Sequence, residues 1–322
     1  MNARFARHHR RGRRPTVAAA AVLLPLLALT ACGSGAGTTS AAAPGGSASP
    51  APSGDVVAGL KKIDALAALL PEDIRTAGGV RVGSSVGAPP SGYYPDNSRT
   101  PVGLDIDVTD AAAKLLGLTV DREVASFETI LPALGSGKYD LGTGNFGVTT
   151  ERLKSIDFVT YIDDGQGFGV SRKNTGLNQV TDLTQLCGLT IGTGAGTTFE
   201  STLNANKDVC AKAGKKPYEV KVFAESAAIL TSLQQGRIDV VMSTINGLRY
   251  QAAQPAAGVR FLGEFHRLDV GFAFKKGSKL TAAFQAAVNE LIKDGTYARI
   301  LAKWGTTGSA ISESQISPPE QQ

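Results

Sequence analysis

The chain has 322 residues and a formal net charge of +5, which at first sight suggests a basic protein. Arg4, Arg7, Arg10, Arg11, Arg13 and Arg14 carry the excess; taking those six charges from +5 leaves −1, and with them goes any nucleic-acid footprint. Three cysteines and three histidines, His8 and His9 among them, leave no ligand set for a zinc centre and no His-based catalytic constellation.

Residues 1–31 read as a secretory leader: a basic start, then an apolar run over 17–29 that is too short for a comfortable bilayer span and is interrupted by Pro25. The run ends in Leu29-Thr30-Ala31-Cys32, which resembles the lipobox of bacterial lipoproteins, so Cys32 is the expected lipid attachment point; the alternative is an ordinary cleavage site beside a chance cysteine. Arg13-Arg14 matches the start of a twin-arginine signal, but Pro15 and Thr16 follow where that signal carries apolar residues. From 32 to 55 the chain is Gly, Ser, Ala, Thr and Pro, which cannot bury enough surface to offset ordering entropy, so a flexible tether is expected. A tether behind a lipid anchor implies a domain held at the outer face of the cell membrane.

The folded part then shows an internal echo. Val80-Arg81-Val82-Gly83 and Leu189-Thr190-Ile191-Gly192 are β-branched runs stopping at glycine, each read as the first strand of an α/β unit. Over 107–116, Val108, Ala111, Ala112, Leu115 and Leu116 form one helical stripe that stops at Gly117. Further on, Ile130, Leu134, Gly137 and Asp140 match Ile229, Leu233, Gly236 and Asp239 in type and spacing, each set predicting a helix, a Gly C-cap and a strand beginning near Asp. Strand, helix, strand in each half predicts parallel sheets with right-handed crossovers. Cys187 and Cys210 are expected to pair in an exported domain, the alternative being two separate buried thiols. Leu280, Phe284, Ala287, Val288, Leu291 and Ile292 make a second long stripe, and Tyr297, Ile300, Leu301 and Trp304 a short one. The polar tail 307–322, with Pro318-Pro319, is expected to be frayed.

Four segments carry a family resemblance: 101–107, 126–140, 149–158, and Asp294-Gly295-Thr296-Tyr297 close to Lys303-Trp304-Gly305. In order and spacing they resemble the solute-binding proteins of polar amino acid ABC transporters, extracellular solute-binding protein family 3, over roughly residues 75–305. The resemblance implies a two-lobed α/β fold of the periplasmic-binding-protein type, with two hinge strands and a ligand cleft. Lobe 1 would comprise 72–168 plus 275–306, lobe 2 173–268, and the hinges would lie near 169–172 and 270–274. It implies a monomer that captures an amino acid or related small carboxylate by closing, and that docks on ABC permease subunits. No cofactor or metal is expected.

The same resemblance assigns the site. Arg152 would pair with a ligand carboxylate, a planar guanidinium suiting that geometry, the alternative being a surface salt bridge. Phe127 would lie under the ligand, unless it is ordinary core. Gly144, Asn145 and Gly147 form the loop before Arg152; Gly147 stands where relatives carry Thr or Ser, and the Asn145 amide is a candidate to compensate. In the second half Thr197 and Thr198 open a helix after Gly194-Ala195-Gly196, a fit for a carboxylate or a plain N-cap. Ser85 and Thr244 occupy positions where amino-acid binders carry the Asp that meets an ammonium. Either an amino acid is held by carbonyls and hydroxyls, or the ligand lacks an α-ammonium; Glu225 is a candidate substitute acid.

Other readings have less to stand on. Gly142-Thr143-Gly144-Asn145-Phe146-Gly147 fits GxGxxG literally, but no helix is expected to run from the second glycine. His266 is expected near a hinge with no catalytic partner, and a cleft-carboxylate dehydratase on this fold would have to rest on Glu225. An extracellular sensor module is the other alternative, although such sensors usually continue into a membrane helix and a signalling domain.

Overall fold

A computed structural model describes residues 54–96 and 98–321. The leader, Cys32 and nearly all of the tether lie outside the described residues, and no described helix is long and apolar enough to cross a membrane.

The chain enters through two short helices, α1 (Asp64–Ala67) and α2 (Glu72–Ala77). The first half follows as β1 (Gly79–Ser84), α3 (Leu104–Leu115), β2 (Thr119–Val124), α4 (Phe127–Gly135) and β3 (Leu141–Gly147). A long strand, β4 (Ile156–Ser171), leads to β5 (Thr190–Gly194), α5 (Thr198–Ala205), α6 (Val209–Lys212), β6 (Glu219–Phe223), α7 (Ser226–Gln234), β7 (Val240–Thr244) and α8 (Ile245–Ala253). A second long strand, β8 (Val259–Lys275), returns to the first half, which α9 (Thr281–Lys293) and α10 (Thr296–Trp304) complete.

The strand order β2-β1-β3-β8-β4-β7-β5-β6 contains two parallel triplets flanking the antiparallel pair β4 and β8. β3 joins β8 at 270–273, whereas β7 joins β4 at 166–170. Each long strand therefore belongs to both lobes. The changeover falls at 163–165 on β4 and 267–269 on β8, earlier along each strand than the expected 169–172 and 270–274. Gly165 sits at this point with φ 145°, and a Cβ there would lie 2.2 Å from the His266 carbonyl oxygen, so the crossing strands demand glycine.

Helices cover both faces of the strands. In lobe 1 the stripes read from the sequence meet: Val108, Ala111, Ala112, Leu115 and Leu116 from α3 pack with Phe284, Ala287, Val288 and Leu291 from α9 and with Tyr297, Ile300, Leu301 and Trp304 from α10. α3 starts at Leu104, ahead of the stripe, with Leu104 and Ile106 extending its buried face; the Gly103 before it passes where a Cβ would lie 2.1 Å from the Ser91 carbonyl oxygen. The repeated turn does the same work twice. Gly137 and Gly236 take the left-handed backbone, and the aspartates beyond them accept from the first strand of their own half: Arg81 N to Asp140 at 2.8 Å, Thr190 N to Asp239 at 2.8 Å.

Cys187 and Cys210 form a disulfide with Cα atoms 5.6 Å apart. The tail is not frayed. Ser309 and Ser314 are fully buried; Ser314 Oγ donates to the Thr160 carbonyl, Gln315 N donates to Thr160 Oγ1 at 2.8 Å, and Ser317 N donates to the Phe158 carbonyl at 2.9 Å. Polar side chains thus fasten it along β4, which explains why apolar periodicity gave no sign of it.

Candidate functional site

A cavity of about 310 Å³ lies between the two halves. Of the residues singled out above, it is lined by Ser85, Phe127, Gly144, Asn145, Arg152, Thr197, Thr198 and Thr244, and also by Glu225. Gly147 is not on the wall; its carbonyl accepts from Arg152 Nη1 at 2.9 Å. Gly147 thus serves the site through its backbone, as an anchor for the guanidinium.

Arg152 follows β3 at the start of a short 3-10 turn, where its N–H donates to Thr149 Oγ1 at 3.2 Å. Its side chain reaches across the cleft, with Nη2 donating to the Gly196 carbonyl at 3.1 Å. The guanidinium carbon lies 5.7 Å from the Phe127 ring centre and 5.9 Å from that of Phe146, and the two rings are 4.6 Å apart. Burial pulls Arg152 down to about 10, which still leaves it cationic at neutral pH, and among the described residues no carboxylate forms an ion pair with it. Two of its five N–H groups are satisfied by carbonyls, and the others are free for an anion.

The opposite wall is neutral. Thr197 Oγ1 caps α5, accepting from Glu200 N at 3.2 Å and donating to the Gly194 carbonyl at 2.7 Å. Thr244 caps α8 in the same way, accepting from Gly247 N at 3.0 Å. Both threonines therefore act as plain N-caps while lining the cavity. Glu225, at the N-terminal boundary of α7, lines the cavity from an exposed position. The halves meet on either side: a Cβ on Gly196 would lie 2.9 Å from Glu128 Cβ, and Tyr93 and Tyr250 face each other with ring centres 6.1 Å apart. The cleft is closed.

Sequence reasoning missed what lies behind the floor. Asp105 of α3 and Asp164 at the hinge are both buried, without an ion pair among the described residues. Asp105 accepts from Tyr161 OH and from Asn145 N, each at 2.8 Å; Asp164 accepts from Asn145 Nδ2 at 3.0 Å and from Asn246 N at 3.1 Å. Burial raises the first to about 7 and the second to about 6, against those hydrogen bonds.

The model of the bacterial extracellular solute-binding proteins, family 3, matches residues 80–307. The chain belongs to that family. The arginine-binding protein ArgT of Corynebacterium glutamicum is 27% identical over 252 residues, covering 78% of this chain and 82% of that protein. An ancestral arginine-binding protein solved with arginine is 35% identical, with a TM-score of 0.63, covering 70% of this chain and 98% of its own. An ancestral arginine-binding protein solved with glutamine is 35% identical, with a TM-score of 0.62, covering 71% of this chain and 98% of its own. The two-lobed fold and the two hinge strands are those of the family.

Proposed function

We propose that this chain is the capture component of an ABC importer, and that it takes an amino acid, or a related small carboxylate, into the closed cleft. The observation that carries this reading is Arg152: a half-buried guanidinium set between the lobes and positioned by two carbonyls, which feels the charge of Glu320 but forms no ion pair with any carboxylate among the described residues. A cation held that way costs desolvation that a bidentate ligand carboxylate offsets. The α5 N-terminus with Thr198, on the other wall, adds N–H donors to the same anion. The relatives named above are amino-acid binders, which supports the ligand class.

Capture proceeds on lobe 1 first, where Arg152, Phe127 and Asn145 are held by β3, α4 and the turn after β3. Lobe 2 then swings about 163–165 and 267–269 until Gly196 and Thr197 close over the ligand. The closed, loaded monomer is the form that docks on the permease. The leader and Cys32 support an exported protein anchored by lipid at the outer face of the membrane. Calorimetric titration of the full chain with the standard amino acids tests this. Tight binding of at least one, lost by about 2–5 kcal/mol in Arg152→Ala, is expected; an unchanged dissociation constant in that variant would remove Arg152 from the site.

A further inference from the structure

The cavity poses a charge problem that its wall does not solve. An α-ammonium needs an acceptor, and burying it unpaired is costly. Ser85 and Thr244 are neutral, and Glu225, the one acid on the wall, is exposed at its edge. The negative charge lies one layer deeper, in Asp105 and Asp164, and Asn145 stands between those carboxylates and the cavity.

All three N–H bonds of Asn145 are committed inward. Its backbone N–H goes to Asp105, and Nδ2 donates both to Asp164 and to Ser91 Oγ at 3.3 Å. A carboxylate accepts, so the amide is fixed with nitrogen toward the hinge. Oδ1 is then left to face the cavity that Asn145 lines, and no described protein donor reaches it. The backbone is set for this: Asn145 has φ 57°, a left-handed conformation that asparagine tolerates better than most side chains.

We infer that Asn145 Oδ1 is the acceptor for a ligand α-ammonium, and that Asp105 and Asp164 supply the negative charge from behind it. This rests on the amino-acid reading of the cleft and narrows it: the ligand carries an ammonium as well as a carboxylate. The carboxylates polarise the amide in a poorly solvated setting, where such a chain of hydrogen bonds is strengthened. A bound ammonium in turn favours the ionised forms of both acids. The other charged or titratable groups acting on the pair are Tyr161 and Arg122 on Asp105 and Arg267 on Asp164, besides the effect of Asp164 on Asp105. Binding of an amino acid near pH 6 therefore releases protons, whereas binding of the same molecule without its ammonium does not.

The test is calorimetry on the full chain with L-glutamine, L-arginine, glutaramate and desamino-arginine, the last two lacking only the α-ammonium, in buffers of different ionisation enthalpy. The expected result is that at least one amino acid is preferred over its desamino partner by about a hundred-fold, the scale of one hydrogen bond to a charged group. That preference comes with proton release. Asp164→Asn shrinks the preference by about ten-fold or more, with far less effect on glutaramate. Asn145→Gly, which the left-handed backbone accommodates, does the same without removing a charged group. Equal affinity for glutamine and glutaramate, or a full preference retained in both variants with wild-type circular dichroism, would overturn the inference. If Arg152→Ala still abolished binding of both classes, carboxylate capture would stand and only the Asn145 assignment would fall. No binding of these four or of any other standard amino acid would overturn both.

Discussion

The two lobes share a topology but divide the labour differently. Lobe 1 presents the charged wall: Arg152 over two aromatic rings, and Asn145 backed by two buried carboxylates. Lobe 2 presents hydroxyls and peptide N–H groups at the starts of α5 and α8. Their fastenings differ as well. Lobe 2 is stapled by the Cys187–Cys210 disulfide, whereas lobe 1 is bound along β4 by the C-terminal tail. A division of this kind suits capture by closure, because the lobe with the charge can hold a ligand before the neutral lobe arrives.

The largest predicted effect tests the charged wall. Arg152→Ala should cost about 2–5 kcal/mol of binding while leaving the melting temperature nearly unchanged, measured by calorimetry and by thermal unfolding. Next is the staple of lobe 2: Cys187→Ser with Cys210→Ser should lower stability by about 3 kcal/mol, given the 23-residue separation. Chemical denaturation checks this, and an equal loss from removing the tail residues 307–322 would blur the contrast between the lobes. Third, Thr244→Ala should remove a helix cap worth about 1 kcal/mol, read as a modest loss of stability with a smaller loss of affinity.

A separate prediction concerns pH. Asp105 and Asp164 have folded values raised to about 7 and about 6, so the folded state holds protons that the unfolded chain has already released. Their favourable contribution is full below about pH 4 and is lost as pH rises through 6 and 7. The wild-type melting temperature, compared with that of an Asp105→Asn variant, should therefore lose ground between pH 5 and 8. A difference independent of pH would place Asp105 elsewhere.

How much of this was legible beforehand follows from what each feature depends on. The repeated Ile, Leu, Gly and Asp positions are local signals, since a helix end and the strand after it are fixed within a dozen residues; both copies fold as read. Arg152 was legible through its motif, but its anchoring by Gly147 and Gly196 depends on a turn and on the opposing lobe. Asp105 falls inside the motif 101–107 and Asp164 in none, but neither showed that it would be buried, because burial of a carboxylate is decided by tertiary packing and not by spacing. The hinge was misplaced since a continuous strand carries no mark where its sheet partners change, Gly165 excepted. Ser309 and Ser314 are buried through hydrogen bonds, so the tail looked like a solvated end.

The most direct measurement is a crystal structure of the chain grown with whichever standard amino acid binds it most tightly. The ligand carboxylate is predicted on the free N–H groups of Arg152, with both lobes closed over it. A carboxylate bound away from that guanidinium, or a ligand outside the cleft between the lobes, would contradict the account.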